Sequence, residues 1–93
     1  MKVVQGGHFS RAIKRLHRPE REILETAIKT LMKEPSAGEL KAGDLAGVRV
    51  LKFKFNLNLM LLAYIYNPES DVLNLLDYGS HENFYRDLKR YEH

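Results

Sequence analysis

Residues able to move protons or hold charge gather near the C-terminus, in Gly79-Ser80-His81-Glu82-Asn83-Phe84-Tyr85-Arg86-Asp87-Leu88, directly after the apolar run Val72-Leu73-Asn74-Leu75-Leu76. The run reads as a buried strand and Gly79-Ser80 as a turn that opens a helix, so an imidazole, a phenol and a guanidinium collect at one strand end. That suits proton transfer, because histidine alone titrates near neutral pH without help. Tyr85 lies one helical turn beyond His81 and shares its face, where it can assist proton transfer or stack on a base. Arg86 can bind phosphate. Upstream, Lys52 and Lys54 occupy one face of an alternating strand, about 7 Å apart at ordinary strand rise, close enough to bracket a phosphate. Arg49 stands just before them as a further cationic contact.

Each of these residues also has a plainer reading. Ser80-His81 can be a helix cap, Tyr85 a rim residue packed on the sheet, and Arg86 an exposed helix residue paired with Glu82 one turn earlier. Lys52 and Lys54 can simply solubilise an exposed sheet face. Phe84 belongs to the core, since it starts the stripe Phe84, Leu88 and Tyr91. His8, His17 and His93 have no metal-ligand spacing and read as surface residues, and no cofactor is expected.

The elements that must position these groups follow from periodicity. Lys2-Val3-Val4-Gln5 reads as a short strand broken by Gly6-Gly7, and Phe9, Ile13 and Leu16 then recur at helical spacing until Arg18-Pro19. A second helix begins at Pro19, with Glu20 and Glu22 at the positive end of its dipole. Leu24, Ala27, Ile28 and Leu31 form its apolar stripe, flanked by Ile23 and Met32, and it ends near Lys33-Glu34 before Pro35. Pro35 to Gly47 reads as irregular loop. The period then changes to two: Leu51, Phe53, Phe55, Leu57 and Leu59 alternate with Lys52, Lys54, Asn56 and Asn58. A hairpin around Asn56-Leu57-Asn58 separates this strand from Met60-Leu61-Leu62-Ala63-Tyr64-Ile65-Tyr66, and Asn67-Pro68-Glu69-Ser70 turns into a last strand, Asp71 to Tyr78. The expected fold is α+β, a small antiparallel sheet with two N-terminal helices packed on one face and a short C-terminal helix.

With 93 residues the chain is expected to form one domain over 1–93. No apolar run approaches membrane-spanning length, so no membrane partner is expected. The start, Met1-Lys2-Val3-Val4-Gln5-Gly6, lacks the hydrophobic region of a secretory signal, which points to the cytoplasm, and the absence of cysteine agrees. The net charge of +3 is unevenly spread: no acid precedes Glu20, while Lys2, Arg11, Lys14, Arg15 and Arg18 are basic. A second acid-free stretch, Leu45 to Pro68, holds Arg49, Lys52 and Lys54. Such clustering is either the footprint of a polyanion or acidic protein partner, or a solvated helix face.

The order of elements, the passage Gly43 to Lys54, the Leu61-Leu62-Ala63-Tyr64 strand and the motif Gly79 to Leu88 resemble the RelE/ParE toxin superfamily of bacterial type II toxin-antitoxin systems, over nearly the whole chain. The resemblance implies a RelE-like, microbial ribonuclease-type fold and a cognate antitoxin as partner, with operator DNA reached only through that antitoxin. For RelE-like members it implies ribosome-dependent, metal-independent messenger RNA cleavage, with ribosome and mRNA as partners. For the ParE branch it implies non-enzymatic inhibition of DNA gyrase. Lys52 and Lys54 resemble in position a lysine pair of RelE-like nucleases, and His81 a C-terminal catalytic histidine of the YafQ-like branch. Tyr85 resembles an aromatic near the C-terminus of many family nucleases. Where RelE carries an arginine in its central strand, this chain has Met60 or Leu61. Metal-free RNA cleavage needs a base for the 2′-hydroxyl, cations for charge on phosphorus and an acid for the departing 5′-oxygen, and His81, Tyr85, Lys52 and Lys54 are the catalytic candidates, with Arg49 and Arg86 as RNA contacts.

Overall fold

The computed structural model describes residues 1–81 and Phe84. Strand β1 (Lys2–Gln5) is followed by helices α1 (Gly7–Ile13) and α2 (Arg18–Lys33), a two-residue strand β2 (Glu39–Leu40), and strands β3 (Arg49–Phe55), β4 (Asn58–Asn67) and β5 (Val72–Ser80). Short 3₁₀ turns at Pro35–Ala37 and Gly43–Leu45 flank β2. Among the described residues no helix is long and apolar enough to cross a membrane.

Helix α2 forms where the stripe predicts it. Pro19 lies in its first turn with Glu20 beside it, and Leu24, Ala27 and Leu31 are buried at intervals of three and four residues. Pro35 stops it, because proline cannot donate to the preceding turn. Phe9 is the buried anchor of α1.

The sheet has the order β1-β5-β4-β3-β2. It is mixed and not wholly antiparallel as expected: β1 runs parallel to β5 while the other neighbours are antiparallel. The long connection through both helices is what allows the parallel pair, which a tight hairpin cannot supply. The β3–β4 hairpin pairs Phe55 with Asn58 across Asn56 and Leu57, and Asn56 takes φ 56°, a left-handed conformation that asparagine tolerates without glycine. At the next turn the Asn67 side-chain carbonyl accepts the Glu69 N–H at 3.0 Å, an Asx turn.

The sheet separates two apolar clusters. On the helical side Phe9, Leu24 and Leu31 pack against Leu62, Tyr64, Leu73, Leu75 and Tyr78. On the opposite side Leu45, Val48, Val50, Leu61, Ala63 and Phe84 pack together. Phe84 is therefore core, as the stripe implies.

Candidate functional site

Strand parity places the lysines. Val50 belongs to the second cluster and Leu51, Phe53 and Phe55 pack on the helical side, so Lys52 and Lys54 project from the face opposite the helices, and both are exposed. Their neighbours on β4 are Leu61 and Leu59.

His81 reaches that same face because of a fault in the pairing. Tyr64 pairs with Leu75 and Ala63 with Asp77, which leaves Leu76 as an extra residue between them. Leu75 packs on the helical side and Leu76 on the other, and beyond the bulge Tyr78 returns to the helical side. The bulge thus shifts the phase of β5 by one residue, a device that re-aims side chains at functional edges. Without it residue 81 would share the face of Leu75. With it, Gly79 pairs with Leu61, and the His81 N–H donates to the Leu59 carbonyl at 3.2 Å. Lys54, Leu59 and His81 form one row across adjacent strands, and Lys52, Leu61 and Gly79 the next. Two strand spacings separate the outer members of a row, about 10 Å between backbones, which long side chains span toward a common phosphate.

Gly79 and Ser80 are the last residues of β5, not the expected turn. A Cβ at Gly79 would lie 3.5 Å from Phe84 Cδ1, an ordinary contact, so the ring packs over this backbone without requiring a glycine there. The Phe84 N–H donates to the His81 carbonyl at 3.4 Å, which ties the segment carrying His81 to the second core.

Arg49 does not join the lysines. It pairs with Tyr64, faces the helical side, and donates to the Gly38 carbonyl at 2.9 Å. Its work in the fold is to hold the segment leading into β2, and the alternation that placed Lys52 and Lys54 together also separates an odd-numbered neighbour. The first basic cluster is separate too: Arg11, Lys14, Arg15 and Arg18 are exposed on and after α1, whose Phe9 packs on the helical side. Tyr85, Arg86 and the C-terminal helix expected to carry them lie outside the described residues.

On the central strand β4, Leu61 lies on the lysine face and is fully buried, while Met60 faces the helices. Neither supplies charge. The floor between the lysines and His81 is therefore apolar, formed by Leu59 and Leu61, with charge confined to its rim.

The fold matches solved toxin structures. The free Escherichia coli RelE toxin, in a double-mutant form, aligns with a TM-score of 0.74 at 17% identity over 97% of this chain and 96% of that one. RelE in the intact E. coli RelBE toxin-antitoxin complex aligns at 0.70 and 17% identity, covering 87% of this chain and 96% of that one. The YoeB/ParE toxin from Agrobacterium tumefaciens aligns at 0.70 and 19%, covering 87% and 99%. At these identities the likeness is one of fold. No curated protein matches the chain by sequence. A family model, the ParE-like toxin of type II bacterial toxin-antitoxin systems, matches residues 3–89, and the chain belongs to that family.

Proposed function

We propose that this toxin is a ribosome-dependent mRNA endonuclease that arrests translation and is held inactive by a cognate antitoxin. The observation that carries the reading is the meeting of Lys52, Lys54 and His81 on one sheet face, brought about by the bulge at Leu76. In the proposed reaction a base removes the proton of the 2′-hydroxyl, the 2′-oxygen bonds to phosphorus, and the bond to the 5′-oxygen breaks as an acid protonates it, leaving a 2′,3′-cyclic phosphate. His81 serves as the acid or base. Lys52 and Lys54 stabilise charge on the phosphoryl oxygens. The E. coli RelBE complex among the structural matches supports an antitoxin as partner.

The second reading is gyrase inhibition without catalysis. It is favoured by the ParE-like description of the family and by Met60 or Leu61 standing where the resemblance to RelE implies an arginine. Translation of a reporter mRNA in a bacterial cell-free system, with mRNA ends mapped, separates the two when gyrase supercoiling is assayed in parallel. The expected outcome is cleavage that falls about 10²- to 10⁴-fold in His81→Ala, with supercoiling intact. Arrested supercoiling over intact mRNA would sink the nuclease reading, and undiminished cleavage by His81→Ala would remove His81 from the site.

A further inference from the structure

The hairpin joining β3 to β4 ends on an apolar side chain that the fold leaves bare. Leu57 is 97% exposed, more than any other large apolar residue described. Folding gains nothing from it there, since a side chain left in water contributes no burial. The turn does not ask for it either. Its left-handed residue is Asn56, at φ 56°, and the next position of a two-residue loop is one that polar residues and glycine ordinarily fill.

Leu57 is also the outer end of a series. Leu61 and Leu59 belong to the lysine face of β4, and by the same alternation Leu57 follows them. Exposure climbs along the series, from none at Leu61, through half-buried Leu59, to nearly complete at Leu57. Lys52 and Lys54 pair with Leu61 and Leu59 on one flank, and on the other Gly79 pairs with Leu61 while the His81 N–H donates to the Leu59 carbonyl. A phosphate held between Lys54 and His81 therefore rests at Leu59. Leu57 stands two residues farther out, about 7 Å at ordinary strand rise. The exposed amides Asn56 and Asn58 lie on either side of it, and no acid occurs from Leu45 to Pro68.

We infer that Leu57 is a wedge: it inserts between the two RNA bases that flank the phosphate held at Leu59 and parts them, so that the 2′-oxygen can line up with phosphorus and the 5′-oxygen. The inference rests on the proposed function, whose reaction it serves. In a stacked strand the bases hold sugar and phosphate with the attacking and leaving oxygens out of line, and attack needs them in line. Unstacking one step is costly, and an apolar side chain that takes the place of the lost neighbour offsets the cost. Shape and charge select this occupant. A lone side chain projecting from a hairpin end enters a gap, and along a phosphate backbone that gap is the space between bases. Lys52, Lys54 and the two amides beside it suit a polyanion. A second copy burying the same leucine would instead bring two lysine faces together, an arrangement that like charges oppose.

The test uses the whole chain on ribosomes programmed with an mRNA that carries 2-aminopurine beside the mapped cleavage position and 2′-deoxyribose at it, so that no 2′-hydroxyl can attack. The fluorescence of 2-aminopurine rises when it is unstacked from its neighbour. Wild type and His81→Ala are expected to raise it alike, because parting the bases needs no acid or base, and Leu57→Ser to leave it near the value of ribosomes alone. On cleavable mRNA, Leu57→Ser should cut about tenfold more slowly, the equivalent of losing most of one buried leucine. Leu57→Met, apolar and adaptable, should restore most of the rate. Both variants should keep the wild-type urea midpoint, since the position is 97% exposed. Wild-type fluorescence or wild-type cleavage in Leu57→Ser overturns the inference and leaves the proposed function standing. A dimer of this chain that comes apart in Leu57→Ser overturns it too, for the leucine is then buried in a second copy. Supercoiling arrested by a wild type that leaves mRNA intact removes the proposed function, and the wedge with it.

Discussion

Lys54 and His81 flank the same residue, Leu59, through the pairing of β3 with β4 and the His81 N–H bond to its carbonyl. An apolar floor between two polar groups concentrates their action, since a phosphate resting on Leu59 loses water on one side and keeps charge on the other. If Lys54 stabilises the transition state by charge, losing the charge at constant length should cost more than changing its shape. Lys54→Met is expected to reduce cleavage about 10²-fold or more, and Lys54→Arg to restore a substantial part, measured by primer extension on ribosome-bound mRNA. Equal loss in both variants would mean that the ammonium geometry matters more than its charge. Equal activity in both would return Lys54 to the role of a solubilising edge residue.

Among the elements, the segment from Pro35 to Leu40 decides where the β3 edge begins, and it hangs on one buried phenol. Tyr64 OH donates to the Pro35 carbonyl at 2.6 Å and accepts the Gly38 N–H at 2.9 Å. Burial raises its pKa above the ordinary tyrosine range, partly offset by the Gly38 bond and by Arg49. Gly38 has ordinary extended backbone, so its glycine is demanded by space alone: a Cβ there would lie 2.6 Å from the hydroxyl of a side chain that is itself fully buried. Gly38→Ala should therefore cost about 1–3 kcal/mol by overpacking, read as a lower urea midpoint. Tyr64→Phe should cost a similar amount by leaving the Gly38 N–H unpaired, and a change under about 0.3 kcal/mol in either would detach this segment from the phenol. None of this was legible in the sequence, where Pro35 to Gly47 reads as loop, because a two-residue strand has no periodicity and its anchor is 26 residues away. What local rules do capture is α2, with its stripe and stops, and the strands β3 and β4 on either side of Asn56. The site was legible in part. Alternation alone sets Lys52 and Lys54 on one face, but the face of His81 depends on a bulge that Leu75-Leu76 does not announce. Gly79 misleads too, since it lies within β5, where a Cβ would make only an ordinary contact with the Phe84 ring, and a glycine before Ser80 looks like one placed to make a turn.

On the scale of the molecule, the sheet keeps the two halves of the chain's chemistry apart: a basic helical side, and a lysine and histidine side that Phe84 closes. The helical layer is fastened to the site-bearing strand by Tyr78, whose ring stacks on Phe53 with centroids 6.0 Å apart and whose hydroxyl donates to the Glu20 carboxylate at the start of α2. Burial, then the bond to Glu20, pushes the Tyr78 phenol well above its usual range. Tyr64 is raised by burial, and Tyr66 by its bond to Asp71. In each case the folded chain holds a proton that the unfolded chain releases near pH 10, so the folded state binds more protons as pH rises past that point. The associated stability is complete below about pH 10 and is lost as pH climbs toward the raised values. Urea unfolding at a series of pH values from 8 to 11.5 is expected to show a flat midpoint that then falls, before the native phenols themselves titrate. Tyr78→Phe should be less stable near neutrality by about 1–2 kcal/mol, through the lost bond to a charged acceptor, yet decline less steeply above pH 10. Parallel declines in the two proteins would show that Tyr78 exchanges its proton as freely in the folded chain as in the unfolded one, and that the bond to Glu20 does not fasten α2 to β5.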